Sequence, residues 1–458
     1  MKKSITNIRT DRWRLKAGRE ELKALGLTVD VYRAYVRALT GVVSVHWDVI
    51  SDAPSQCAAI EKLIHRTKKN PDPKYSYFDK KFFKFPSYLR RAAIEAAVGQ
   101  VSSFDTRYWS WQGGDRKRRD ARPPKFTPDA GVYPVLYRGQ CVKFHDDFKQ
   151  AEIKIWNGKD WIWITARIAG LRKRHIAPEN KQLSPILVVR GNKAHLSVPF
   201  DIPRRCLLLE RNKVCGVDLG LNTAATAAIV CSDGTVTARR FIDRAADIDR
   251  RDKRLKKISG KARLTMGRKG KLGRGFCLGL YRKAGNINRE MARRVAGEIV
   301  RFALEQRAPV IAFEQLEGWR PRGGRKRSTL RQRFHGWMHR QVVKLVTEMF
   351  TEKGGAVSFV CPENTSKLAF DGSGYVLRDA KNYALATFKT GKRYNADLNA
   401  AYNIGARYWY SKLAGGNGRE TTPDKSFRIV PRMRVVLSTL WDYHRAVEHE
   451  AATTAASA

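Results

Sequence analysis

Three apolar segments in the second half of the chain each carry one carboxylate at their edge, and together they restrict the fold more than any other feature. They are Cys215-Gly216-Val217-Asp218-Leu219-Gly220-Leu221-Asn222, Ile311-Ala312-Phe313-Glu314-Gln315-Leu316, and Asn395-Ala396-Asp397-Leu398-Asn399-Ala400-Ala401-Tyr402-Asn403-Ile404. The first two read as strands, and the third as a helix with Asn395 at its cap. Strands are expected at Val214–Asp218, Ala224–Cys231 and Thr235–Phe241. A long helical region follows, with Ile287, Met291, Val295, Ile299 and Ala303 on one stripe. Pro309–Phe313 and Ala356–Val360 read as two more buried strands. Three meandering strands, then helix–strand, helix–strand and a closing helix is the order of an RNase H-like fold.

Singly, each acid has an ordinary reading: a strand-end residue, a surface carboxylate, or a favourable charge at a helix N-terminus. Jointly, in this order and on these elements, Asp218, Glu314 and Asp397 point to a shared site. Carboxylates from different elements can hold two divalent ions about 3.5–4 Å apart for phosphodiester hydrolysis. Magnesium suits such a set, because it takes hard oxygen ligands and keeps water and phosphate in its shell.

The charge balance agrees. There are 89 Lys and Arg against 43 Asp and Glu, a net charge of +46. Such an excess repels itself and fits a polyanion partner. A hydrophobic content of 43% with 11 tryptophans implies folded cores, not a basic tail. The N-terminus lacks an apolar signal region, and no stretch approaches the roughly 20 apolar residues of a membrane span. The seven cysteines form no C-x-x-C pair and read as reduced, cytosolic thiols.

The N-terminal half changes period. From about Val29 to Gln112 it is helical, with a clear amphipathic run at Tyr88–Val98 behind Pro86, broken by Gly113-Gly114. Beyond that, Ala151–Trp156 and Trp161–Ala166 alternate on either side of Asn157-Gly158, a hairpin signal. Pro185–Val189 and Ala194–Val198 read as further strands. Residues 130–205 are expected to form a small β-barrel, with the helices inserted between its first strand and the rest.

The motifs GVDLGLNTAAT, IAFEQLEG and NADLNAAYNIGA resemble the three RuvC-type motifs of transposon-encoded TnpB nucleases and the related type V CRISPR effectors. The resemblance implies a multi-domain α/β protein. A RuvC-like nuclease domain would span 211–355 with a basic helical insertion. A β-barrel (wedge) would comprise 1–28 and 129–210, with a helical recognition domain at 29–128. Residues 356–394 would hold the last nuclease strand and a target-nucleic-acid-binding insert, and 395–407 the third motif helix. The tail 408–458 has no assigned role.

The activity implied is RNA-guided cleavage of DNA, with Asp218, Glu314 and Asp397 as catalytic acids holding two Mg2+ ions. The partners implied are a guide RNA and double-stranded target DNA with an adjacent motif. One protein per RNA is expected, a dimer is left open, and the setting is the prokaryotic cytoplasm and nucleoid. Two other readings stay open: an RNA-guided roadblock or repressor, and a transposase acting without guide RNA.

The chain departs from the family at one point. A four-cysteine zinc ribbon is usual between the second and third motifs, but Ala369, Gly372 and Phe388–Gly391 stand at the corresponding positions. Zinc is not expected there, and Leu368, Phe370, Tyr375 and Phe388 are candidates for holding the insert instead. His335 and His339, four residues apart, lack a third ligand nearby. Two basic runs are expected to contact nucleic acid. One holds Arg250, Arg251, Arg254, Lys257, Arg263 and Lys269; the other holds Arg320, Arg322, Arg325, Lys326 and Arg327. The aromatic run Tyr108-Trp109-Ser110-Trp111 is equally readable as a base-stacking surface or as core.

Overall fold

The computed structural model describes residues 6–114, 123–127, 131–145, 147–169, 171, 175–203, 209–221, 223–266, 271–273, 275–316, 338–413 and 431–456. The chain divides into two compact units, Met1–Pro203 and Arg204–Ala458.

Among the described residues, the first unit pairs one sheet with five helices. Its strands are β1 (Thr6–Lys16), β2 (Val142–His145), β3 (Gln150–Trp156), β4 (Trp161–Ala169), β5 (Lys181–Gln182), β6 (Ile186–Arg190) and β7 (Lys193–Pro203). They run β2-β3-β4-β1-β7-β5, with β6 also on β7. The N-terminal strand therefore lies inside the sheet, antiparallel to both β4 and β7. Between β1 and β2 in sequence come α1 (Arg19–Val45), α2 (Trp47–Ser51), α3 (Gln56–Ile64), α4 (Tyr77–Lys81) and α5 (Ser87–Gln112). Asn157 closes the β3–β4 hairpin by accepting the Lys159 and Asp160 amides at 2.8 and 2.9 Å, and Gly158 takes φ +105° there.

The helices begin earlier than the residue pattern suggests, at Arg19 and not near residue 29. Glu21 reaches back to accept the Gly18 N–H at 2.7 Å, which starts the helix. Gly26 and Thr28 blur the apolar period over the next two turns. Thr28 is buried because its hydroxyl has work on both sides. It donates to the Ala24 carbonyl at 2.8 Å and accepts the Trp156 N–H at 2.8 Å, tying α1 to β3.

The second unit is built on β8 (Lys213–Asp218), β9 (Thr223–Cys231), β10 (Val236–Asp243), β11 (Val310–Glu314) and β12 (Ala356–Val360). The order is β10-β9-β8-β11-β12. The first three strands are antiparallel, and β8, β11 and β12 are parallel. Helices α6 (Ala245–Met266) and α7 (Leu278–Glu305) link β10 to β11, and α8 (His339–Glu352) precedes β12. A small sheet of β13 (Leu377–Arg378), β14 (Leu385–Thr387) and β15 (Arg393–Asn395) follows, then α9 (Ala396–Leu413) and α10 (Leu437–Ala456).

Alternation along the strands builds a core on each face of the large sheet. Cys215, Val217, Ala227, Ile229, Ile311 and Phe313 join Met291, Val295, Ile299 and Ala303 of α7 and Val342, Val346 and Phe350 of α8. Val214, Ala228, Val230 and Ala312 face the other way, toward Ala401, Ile404 and Tyr408 of α9. Burial on both faces explains why β8, β9 and β11 lack polar alternation.

On that second face, α9 lies unusually close to the sheet. A Cβ on Gly216 would collide with the Ala401 carbonyl and come within 2.9 Å of the Gly405 nitrogen. A Cβ on Gly405 would meet Val230 Cγ2 at 2.5 Å. These glycines set the distance between β8 and α9, the elements that end in Asp218 and begin near Asp397. Gly216→Ala is expected to cost about 1–3 kcal/mol in a urea melt through overpacking, with α9 displaced from the sheet.

The C-terminal region, which the sequence left unassigned, completes this face. Helix α9 runs on to Leu413, past the expected end at residue 407. Leu437 and Leu440 of α10 are buried, and the Trp441 indole donates to the Gly234 carbonyl at 3.0 Å. The Ser438 N–H donates to the Phe370 carbonyl at 2.9 Å.

The cysteine-free insert is held by rings. Phe370 packs against Phe388, Tyr394, Tyr402 and Trp441 at centroid distances of 5.4, 5.1, 5.3 and 6.5 Å, all edge to face. The Lys392 ammonium sits 4.9 Å from the Phe370 ring centre. Phe370 and Phe388 are buried as the sequence suggests, but Tyr375 is 59% exposed and takes no part in this cluster. Tyr394 at the end of the insert takes its place, with Tyr402 and Trp441 from elements that the motif pattern did not link to it.

Candidate active site

The parallel pairing of β8 with β11 puts Val217 opposite Phe313, so Asp218 and Glu314 end neighbouring strands. Asp397 stands in the first turn of α9. Asn395 caps that turn, accepting the Asp397 and Leu398 amides at 3.0 and 2.9 Å. All three acids are half-buried.

Their electrostatics are those of crowded like charges. Burial pushes the Asp218 carboxyl well above the ordinary carboxylate range, and the Glu314 and Asp397 charges push it further. Arg378 and the Leu219 N–H act in the opposite direction. Burial also raises Glu314, opposed by the Thr365 hydroxyl and the Arg407 guanidinium. Asp397 is raised by burial and lowered by Arg378. Such a cluster is costly until positive charge joins it. Among the described residues, no three His, Cys, Asp or Glu side chains stand ready-made around one ion.

A polar stripe on α9 supports the site from behind. Asn399, Asn403 and Arg407 follow one another at four-residue steps, and all three are buried. Asn399 accepts the Phe370 N–H at 2.8 Å and donates to the Leu368 carbonyl at 2.8 Å. Asn403 donates to the Thr365 and Leu368 carbonyls, each at 2.9 Å. Arg407 donates to the carbonyls of Cys361 at 2.6 Å, Glu363 at 2.7 Å, Met433 at 2.9 Å and Val435 at 3.1 Å. The stripe thus fixes the loop at 361–370, whose Thr365 hydroxyl donates to Glu314 Oε1. The third motif showed Asn399 and Asn403, but their four-residue spacing with Arg407 was the signal that would have exposed this role.

The expected nucleic-acid contacts divide three ways. Arg250, Lys257 and Arg263 are exposed on α6, and Arg254 is half-buried there. A cleft of about 690 Å³ against α7 is lined by Lys253, Arg254, Lys256, Lys257, Leu280 and Lys283. Arg251 departs from the expectation: it is 4% exposed and donates to Asp252 at 2.8 Å and Asn288 at 3.0 Å, pinning α6 to α7. Lys269, Arg320, Arg322, Arg325, Lys326 and Arg327 lie outside the described residues, as does His335. His339 opens α8, and burial lowers its pKa. No helix among the described residues is long and apolar enough to cross a membrane.

Known proteins match parts of the chain. The Aq_aa04 family model matches residues 9–157. A TnpB-like protein, aq_aa05, of Aquifex aeolicus (strain VF5) is 34% identical over 144 residues, covering 30% of this chain and 46% of the relative. That match is a similarity in sequence over part of each chain. It spans less than half the length of that relative. Among solved structures, a Cas12f1–sgRNA–target DNA complex matches 87% of this chain and 99% of its own, with 15% identity and a TM-score of 0.48. Alicyclobacillus acidoterrestris C2c1 in complex with single-guide RNA matches 86% of this chain and 68% of its own, at 13% identity and a TM-score of 0.43.

Proposed function

We propose that the chain is an RNA-guided, magnesium-dependent DNA endonuclease whose second unit carries an RNase H-like nuclease domain of RuvC type. The observation that carries the reading is three half-buried acids, on two neighbouring strand ends and one helix turn, whose charges crowd one another. The net charge of +46 supports a phosphodiester substrate. The strand order, three antiparallel then two parallel, is that of RNase H-like folds, and the TnpB-like sequence match supports the same direction.

The donor chemistry suits magnesium, since all three ligands are carboxylate oxygens. When bound, the ions would activate water and stabilise the leaving oxygen. Asp218, Glu314 and Asp397 would hold them. The chain's other residues orient these acids. Thr365 turns Glu314 by its hydrogen bond, and Asn395 fixes the turn that carries Asp397. Arg378 brings positive charge to the side of Asp218 and Asp397, and would offset charge gained by a phosphate oxygen in the transition state. The exposed cations of α6 would follow a phosphate backbone.

In this reading the first unit holds the wedge and recognition elements, and β13–β15 belong to the target-nucleic-acid-binding insert. The partners are a guide RNA and double-stranded DNA with an adjacent motif. Sequencing the RNA that copurifies with the expressed protein tests this arrangement. A single defined RNA species is the expected result. Protein that carries no RNA yet joins DNA strands would overturn it in favour of a transposase.

A further inference from the structure

Helix α5 outruns its own core. Its last buried residue is Val101, and about three turns beyond it carry Phe104, Tyr108, Trp109 and Trp111. Tyr108 is 37% exposed and Trp109 60%. The rings are ordered against one another: Tyr108 is stacked on Phe104 at 6.0 Å and meets Trp109 edge-on at 5.9 Å. Phe104 in turn packs on Phe126 at 4.9 Å, which anchors the group from beneath. The Trp109 indole N–H donates to Asp105 at 3.0 Å, so its polar edge is already satisfied. What Trp109 offers outward is its face. Arg107 and Lys125, sequence neighbours of Tyr108 and Phe126, are exposed.

We propose that Tyr108 and Trp109 form a stacking platform for unpaired bases of the guide RNA. This rests on the reading of the chain as RNA-guided. Every base has a π-face, so an exposed, prepositioned pair of rings flanked by cations suits single-stranded RNA irrespective of its sequence. The hydrogen bond to Asp105 lowers the cost of ordering the indole on binding. A second copy of the chain is the other occupant such a face could take. It would bring another +46 and a second Arg107 and Lys125 to the contact, which opposes self-association. RNA brings phosphates that offset the same charges.

The test is binding of a fluorescein-labelled oligoadenylate RNA of about 12 nucleotides to the full chain across a salt series. Tyr108→Ala and Trp109→Ala are each expected to weaken binding about tenfold. The slope of log K against log salt should not change, because no phosphate contact is lost. Trp109→Phe should restore most of the affinity. Both rings are exposed, so folding is not at stake, and a DNA oligomer and an RNA duplex of the same length serve as comparison arms. Unchanged RNA affinity, a loss that appears only as a shallower salt slope, or an equal loss on the duplex would overturn the proposal. A dimer abolished by Trp109→Ala would assign the face to a second copy. If these variants bind normally while guided cleavage persists, the platform fails and the nuclease reading stands. Absence of any RNA binding by the unaltered chain would defeat both.

Discussion

Asp218→Asn is expected to reduce guided DNA cleavage by about 10²–10³-fold or more and, in chelator, to raise the melting temperature. The two effects share one cause. Asp218 is held among Glu314 and Asp397 in a half-buried site, and its carboxyl is raised well above the ordinary 3.8. A group with a raised folded-state pKa binds more protons folded than unfolded. Stability therefore falls as pH rises from the unfolded carboxylate range through the raised folded values. Glu314 and Asp397, also raised, add to the same slope. Above those raised values the metal-free protein carries the whole cost, and the neutral amide removes part of it. Each kcal/mol relieved corresponds to about 2–4 °C in a unit of this size. Calorimetry with and without magnesium checks the account. Magnesium should raise the melting temperature of the unaltered protein and do little for Asp218→Asn. A variant that melts lower than the unaltered chain in chelator would contradict the crowding argument.

Arg407→Met is expected to be the most destabilising single change on α9, at about 3–5 kcal/mol. The guanidinium is 4% exposed and satisfies four backbone carbonyls from two separate stretches of chain. Methionine fills much of the volume but leaves those buried acceptors without donors, and that unmet polarity is the main cost. The loss also propagates to the acids. The loop from Cys361 carries Thr365, which orients Glu314, and Arg407 itself draws the Glu314 pKa down. Urea melts should show the loss, and cleavage should fall more than the folded fraction does. Wild-type stability in Arg407→Met would mean that the carbonyls find other partners.

The parts of the fold set by local chemistry were legible in the sequence. Strands β8, β9 and β11 announce themselves as unbroken apolar runs, because they are covered on both faces. Asn395 announces the start of α9 through its capping chemistry. Asp218 and Glu314 stand where such strands end, and Asp397 stands in the first turn of α9. What escaped was long-range in origin. The first turns of α1 carry Thr28, which meets Trp156, a residue far along the chain. Arg251 sits in a basic run and looks like surface, yet Asn288 on another helix buries it. Trp441 reads as part of a tail, although it packs against Phe370 and donates to Gly234. None of these partners is close in sequence, so no local pattern could reveal them.

The most direct measurement of the central claim uses the purified protein with its copurified RNA. Double-stranded DNA that matches the RNA is incubated with the complex in magnesium and in chelator, alongside Asp218→Ala. Cleavage is expected only in magnesium and only by the unaltered protein, with the variant still retaining the DNA in a gel-shift assay. Equal cleavage by Asp218→Ala, or binding by both proteins with no cleavage in magnesium, would contradict it.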